Sequence, residues 1–248
     1  MPLFQNAVKQ IFLLILITFS AVLKAQQKIP VQHRYADFSA TSGTSQQSLA
    51  ASYNFNWRLG KSKKFELGLG IRNTAYFGLK KEFWTAPARL ARTSTTPFLI
   101  FFAMQKIENW DTLTIQRPFT NSLNISLNFG YNISKKLYAG FNIDAIGFTI
   151  GRTTSGILQS NGSTRTESAA KPAAFNLLLT GDHDLGSLNS EFHLNYNLNN
   201  HWSIKGIYQF LFVEYRTTTI LQTAPDGTMN ERFRNKANNG GLGVVYHF

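Results

Sequence analysis

From residue 47 onward, apolar and polar side chains alternate along the chain, which is the period of a β-strand whose two faces meet different surroundings. The clearest run sets Leu123, Ile125, Leu127, Phe129, Tyr131 and Ile133 on one face, with Asn124, Ser126, Asn128, Gly130 and Asn132 on the other. Leu49, Ala51, Tyr53, Phe55 and Trp57 alternate with Ala50, Ser52, Asn54, Asn56 and Arg58, and Phe65, Leu67, Leu69 and Ile71 with Glu66, Gly68, Gly70 and Arg72. Trp202, Ile204, Tyr208, Phe210 and Phe212 oppose Ser203, Lys205 and Gln209. The pattern predicts strands near 47–59, 65–77, 119–133, 137–150, 188–198, 202–216 and 237–248.

The connections fall into two classes that alternate along the chain. Gly60 to Lys64, Ser134 to Lys136 and Asn199 to His201 are short enough to be hairpin turns; Gly78 to Pro118, Gly151 to Gly186 and Thr217 to Lys236 are long. Short turns at one end and long loops at the other are the layout of an up-and-down antiparallel transmembrane β-barrel with long extracellular loops. An even strand number requires an eighth strand before residue 47, and Val31 to Ala40 is the candidate. A ten-stranded version would recruit Phe98 to Ile107 and Ala174 to Thr180, although Pro118 disfavours an extra strand just ahead of residue 119.

Alternation alone does not say which face points outward, because a soluble periplasmic lipid-binding barrel has its apolar face inside. Three features point to the membrane. The polar faces carry Asn, Ser and Gly, as in a filled lumen, where a water-facing sheet would carry Lys and Glu. Aromatic residues sit near strand ends (Trp57, Phe65, Phe77, Tyr131, Trp202, Tyr246), where interfacial girdles lie. Charges avoid the central apolar positions, where a lipid-facing Arg or Lys would cost about 2–4 kcal/mol.

Composition adds a route and a charge. Lys9, the apolar stretch Ile11 to Leu23 and Ala25 read as a secretory signal over residues 1–25, leaving 26–248 as the mature barrel. That stretch is shorter than the ~20 residues that a spanning helix needs. Without Lys9 and Lys24, the 25 basic residues become 23 against 13 acidic ones, a net charge of +10. Such a balance suits lipopolysaccharide and phospholipid headgroups. The basic residues are spread over turns and loops, which argues against nucleic acid as a partner. Absence of cysteine excludes disulfides, thiolate metal sites and a lipidated cysteine.

In the segment Gly240 to Phe248, the residues Leu242, Val244, Tyr246 and Phe248 share one face and the sequence ends on an aromatic residue. This resembles the C-terminal signal read by the barrel-assembly machinery, with Gly243, Tyr246 and Phe248 in the matching positions and Gly241 where that signal has a polar residue. With the signal peptide and loop layout, the chain resembles small OmpA/OmpX-type outer-membrane barrels of the uncharacterised kind abundant in Bacteroidetes. The resemblance implies a Gram-negative outer-membrane location and an eight-stranded barrel. Such families contain structural proteins, adhesins, binding proteins and a few lipid-modifying enzymes.

Candidate chemistry is sparse. Asp182, His183 and Asp184 lie together ahead of the strand beginning near 188, where acid and imidazole groups at a barrel rim could activate water; the plainer reading is a polar turn completed by Gly186. Glu191 and His193 share a lumen face with Asn195 and Asn197, and one histidine with one carboxylate is half a metal site. Opposition of Leu59 and Phe65 across the Gly60 to Lys64 turn would place Arg58 against Glu66 inside, with Asp144 and Lys205 in the same interior. No cofactor is expected. The leading function is a non-enzymatic outer-membrane protein with a structural, adhesive or binding role, its ligand reached through loops 78–118 and 151–187; the other class is a barrel enzyme acting on lipid A or surface peptides.

Overall fold

The computed structural model describes residues 31–96, 102–160 and 162–248, so the expected signal at 1–25 lies outside the described residues. The strands, in chain order, are β1 (Val31–Gly43), β2 (Gln46–Leu59), β3 (Phe65–Gly78), β4 (Lys80–Thr85), β5 (Thr112–Gln116), β6 (Phe119–Asn132), β7 (Leu137–Gly151) and β8 (Thr154–Ser160). They continue with β9 (Ser163–Pro172), β10 (Phe175–Leu177), β11 (Leu188–Asn197), β12 (Trp202–Arg216), β13 (Gln222–Thr223), β14 (Met229–Asn230) and β15 (Arg232–His247). The six strands expected between residues 47 and 216 agree with β2, β3, β6, β7, β11 and β12 to within one residue at each end. The weakly alternating segment 31–40 is also a strand, extended to Gly43.

All pairings are antiparallel, and they close the sheet twice. The long strands β1, β2, β3, β6, β7, β11, β12 and β15 pair in that order, and β15 returns to β1. A second circuit rises above them. β1 and β2 end at a tight turn where Ser45 has φ 57°, so β15 loses its β1 partner beyond Gly240 and takes β4 at Phe233 and Arg234. Likewise β12 pairs with β11 as far as Phe212 and with β9 at Tyr215 and Arg216. The upper ring is therefore β15, β4, β5, β8, β9 and β12. Followed round its outer path, the sheet passes through twelve strands among the described residues.

That circuit is longer than the eight or ten strands expected, because the long connections are not plain loops. β4 continues β3, β5 leads into β6, and β8 continues β7. Pro118 does interrupt the ladder between β5 and β6, with Arg117 at φ 48°, but the break is a corner and strand pairing resumes on both sides. The segments proposed for ten strands are corrected too: Ala174 to Thr180 yields only β10, and residues 102–107 form a single bridge, Gln105 to Arg92. Residues 97–101 lie outside the described residues.

Polarity reverses between the two circuits. Among the long strands, inward positions are Ser39, Ser48, Asn54, Asn56, Asn124, Asn128 and Gln209, all buried, while Leu69, Ile71, Leu123, Ile125, Phe192 and Leu242 face outward and are exposed. In the upper ring the inward positions are mainly apolar: Phe83, Leu113, Ile115, Leu158, Val213 and Phe233 form a fully buried core, with Thr85, Ser160 and Glu167 as buried polar positions at its margins. The outward positions there are mainly polar or charged, as at Lys80, Glu82, Gln116, Gln159, Thr164 and Lys171, with Trp84 and Ile157 as exposed apolar exceptions. The change occurs within single strands; inward residues of β12 run Ser203, Lys205, Ile207, Gln209, then Leu211, Val213, Tyr215. Burying each large apolar side chain of the upper core stabilises it by about 1.5–3 kcal/mol, as in any water-soluble sheet.

Aromatic rings mark both margins of the exposed apolar band. Phe65 packs on Tyr131 and Trp202 on Tyr246 at the end with the short turns, and Phe77 packs on Phe119 at the other. From Phe65 to Phe77 the strand covers about 40 Å, or about 30 Å along the axis at the tilt usual for spanning barrels, which matches a bilayer core.

Candidate functional site

The lumen between the long strands is crossed by one chain of alternating charges. Lys205 Nζ donates to Asp37 Oδ1 and Glu191 Oε2, both at 2.9 Å; Arg72 lies 3.5 Å from Glu191 and donates to Asp144 Oδ1 from Nε at 2.9 Å and from Nη2 at 2.6 Å. Each cation thus bridges two carboxylates, and the five groups come from β1, β12, β11, β3 and β7. All are buried. Remaining lone pairs are met by Asn54 and Ser52 on Asp37, Asn124 and the Asn189 N–H on Asp144, and the Asn189 side chain on Glu191. Arg58 faces Glu66 as the turn geometry required, with Nε 2.9 Å from Oε1.

Glu191 and His193 both occupy the lumen face, yet they do not act on each other. Glu191 is held by the cations, whereas His193 donates from Nδ1 to Asn195 Oδ1 at 2.9 Å and packs against Tyr138. Among the described residues, no group of three or more His, Asp or Glu side chains is placed to hold a metal ion.

Asp182, His183 and Asp184 are adjacent in sequence and separated by their contacts. Asp182 receives Arg92 Nε at 2.5 Å and Lys236 Nζ at 2.6 Å. His183 Nε2 turns to the Thr95 carbonyl at 2.9 Å, and Asp184 Oδ1 accepts the Leu179 N–H at 2.6 Å. A single 3-10 turn, Gly181–His183, sends the three side chains in different directions, and Gly186 at φ 73° ends the excursion. Among the described residues, no acid touches the imidazole. Burial opposes ionisation of Asp182, but Lys236 and Arg92 outweigh it and hold the carboxyl below its usual range.

Asp184 goes the other way, since burial pushes its carboxyl up to about 6 against the Leu179 N–H and Arg234. Between the ordinary carboxylate range and about 6, the closed loop keeps a proton that the open loop releases. Raising the pH through that window therefore weakens closure. Hydrogen-exchange protection in residues 178–187 is expected to fall between pH 4.5 and 7, by at most about a hundredfold, and Asp184→Asn should abolish the fall. Unchanged protection across that range in the wild type would refute it.

A second chain of polar groups sits at the short-turn end, and the sequence pattern did not single it out. His33 Nδ1 donates to Glu66 Oε2 at 2.8 Å; His33 Nε2 lies 2.9 Å from His247 Nδ1, and His247 Nε2 lies 2.7 Å from Ser203 Oγ, which is 2.7 Å from Asn197 Oδ1. The chain runs from a carboxylate to an amide oxygen through two imidazoles and one hydroxyl. It is not an open nucleophile site: Ser203 is buried, and the 490 Å³ basin at this end is walled by His33, Arg58, Lys135, Lys136 and His247 without it. Parity would have found His247, since Leu242, Val244, Tyr246 and Phe248 point outward; His33 and Glu66 come from strands that only the closed ring brings together.

No family model matches the chain, and no curated protein matches it. Among solved structures it is similar to Ail, the attachment invasion locus protein of Yersinia pestis, at 9% identity over 89% of this chain and 100% of that one, with a TM-score of 0.35. It is similar also to a major outer membrane protein of Thermus thermophilus (10% identity, 87% and 99% covered, TM-score 0.35) and to Neisserial surface protein A (9%, 88% and 96%, TM-score 0.33).

Proposed function

We propose that the chain is an integral outer-membrane β-barrel protein of a Gram-negative bacterium, of the Bacteroidetes kind that its sequence resembles, with a structural, adhesive or ligand-binding role. The observation that carries this reading is the reversal of polarity along one continuous sheet. A wall that is apolar outside and polar inside suits lipid, and the same wall becomes polar outside and apolar inside where it leaves the lipid for water. A soluble lipid-binding barrel would be apolar inside along its whole length. In this reading the eight long strands span the bilayer, the upper ring stands on the cell surface, and residues 1–25 direct export before removal.

The lumen supports a scaffold role. Its charges are paired across strands and its amides fill the space between them, so the interior works as a packed core. Lys80, Lys81, Arg117 and Arg152 sit just beyond the Phe77 and Phe119 girdle, at the height where lipopolysaccharide phosphates lie. The aromatic outward face of β15, paired with both β1 and β12, is the surface that the barrel-assembly machinery would handle.

Expression with its signal in a Gram-negative host is expected to place the mature protein in the outer-membrane fraction, soluble only in detergent, with a heat-modifiable band on a gel. Recovery from the periplasm without detergent would overturn the proposal.

A further inference from the structure

At the short-turn end, six of the eight long strands bring an inward-facing residue to one basin of about 490 Å³: His33, Arg58, Asn132, Tyr138, Asn197 and His247. Two hairpin turns add Lys135, Lys136, Asn199 and Asn200, so the basin is the mouth of the ring. Both turns are tied down. Ser134 Oγ accepts the N–H groups of Lys136 at 3.2 Å and Leu137 at 3.1 Å, and Asn197 Nδ2 donates to the Lys135 carbonyl at 3.0 Å. Asn199 Oδ1 accepts the N–H groups of His201 and Trp202, both at 2.9 Å.

What these groups leave for the basin is one-sided. The Lys135 and Lys136 ammonium groups are exposed and have no partner among the described residues. The Arg58 side chain, 33% exposed, gives Nε to Glu66 and keeps both Nη groups unpaired among the described residues. Asn199 has spent its oxygen on the two N–H groups and Gln32 on Arg34 Nη2 at 3.0 Å, so both present their NH2 groups. No Asp or Glu side chain lines the basin; Glu66 lies behind the wall and already accepts from Arg58, His33, Asn56 and Asn132. A terminal carboxylate on Phe248, also in the lining, would offset one of the three cations.

Accessible cationic donors beside amides whose oxygens are taken favour a ligand that accepts and carries negative charge. The fork of Arg58 suits two oxygens of one group, and the two lysines favour further charge on the same ligand. We propose that the basin binds a small multivalent oxyanion, a polycarboxylate or a phosphate, free or as the end group of a water-borne molecule. A lipid headgroup does not fit, because the basin opens inside the ring of strands while the apolar wall that would hold lipid chains faces outward. This chemistry does not depend on where the protein resides.

The test is isothermal titration calorimetry of the full mature chain in non-ionic detergent at constant ionic strength, with sodium citrate, sodium pyrophosphate and sodium acetate. Citrate or pyrophosphate is expected to bind saturably, at least about tenfold more tightly than acetate. The tighter of the two tells whether carboxylate or phosphate is the group recognised. Lys135→Gln combined with Lys136→Gln, in an exposed turn, should weaken that probe about tenfold with heat-modifiable migration kept. Arg89→Gln combined with Lys171→Gln makes the same change of charge at the opposite end and should alter affinity by less than about twofold. No saturable binding of either multivalent probe would overturn the proposal, as would acetate binding equally tightly. Equal losses in the two double variants would mean diffuse attraction to a basic protein, and unchanged affinity without Lys135 and Lys136 would place any binding elsewhere; either result refutes the site.

Discussion

Replacing Lys205 by methionine is expected to destabilise the barrel by about 3–5 kcal/mol, the largest effect of any single lumen substitution that removes one partner of a buried ion pair. Lys205 is 1% exposed and is the only cation among the described residues in contact with Asp37. Without it, Asp37 and Glu191 face one another as buried carboxylates in a lumen packed with side chains. Arg72 still reaches Glu191, at 3.5 Å, so Asp37 bears most of the loss. The measurement is urea unfolding of the refolded barrel in detergent, read as a lower midpoint for Lys205→Met at unchanged slope. The triple variant Lys205→Met, Asp37→Asn, Glu191→Gln removes the stranded charges together with their partner and should regain most of the stability. A single variant as stable as wild type would show that the charges are not buried as a chain.

Placing arginine at Ile71 is expected to cost about 2–4 kcal/mol in a bilayer, because Ile71 lies at the middle of β3 on the outward face and is 58% exposed. The sign of this effect separates lipid from water. Were the outward face in water, exchanging an exposed isoleucine for arginine would be within about 0.5 kcal/mol of neutral. Thr164→Arg, on the polar outer side of the upper ring, is the control and should have little effect. Folding yield into phospholipid vesicles together with urea titration checks both. Equal stability of Ile71→Arg and Thr164→Arg would contradict the membrane reading, while a loss confined to Ile71→Arg supports the polarity reversal as a lipid boundary.

The groups read by strand parity face the lumen as alternation predicts, and Asp182, His183 and Asp184 form the polar turn ended by Gly186 that was the plainer reading of them. Arg58, Glu66, Asp144, Glu191, His193 and Lys205 all face the lumen, because two-residue periodicity fixes a side chain's face once one neighbour's face is known. Asp182, His183 and Asp184 looked like a cluster only because they are consecutive; a 3-10 turn separates their side chains.

What the sequence determined by itself is local: where the long strands run, which side chains point inward, and the register of the hairpin that joins Arg58 to Glu66. These follow from the pleat, in which each residue's face depends only on its neighbours along the chain. Tertiary structure alone decided the rest. Lys205 meets Asp37 across 168 residues, and His33 meets His247 across 214, because β15 closes on β1. The upper ring arose because β1 and β2 stop at a tight turn while β12 and β15 continue, leaving strand edges that β4 and β9 cover. An edge left open holds unpaired backbone groups, so which strands meet there depends on the lengths of all the others, a global condition that no window of alternation contains.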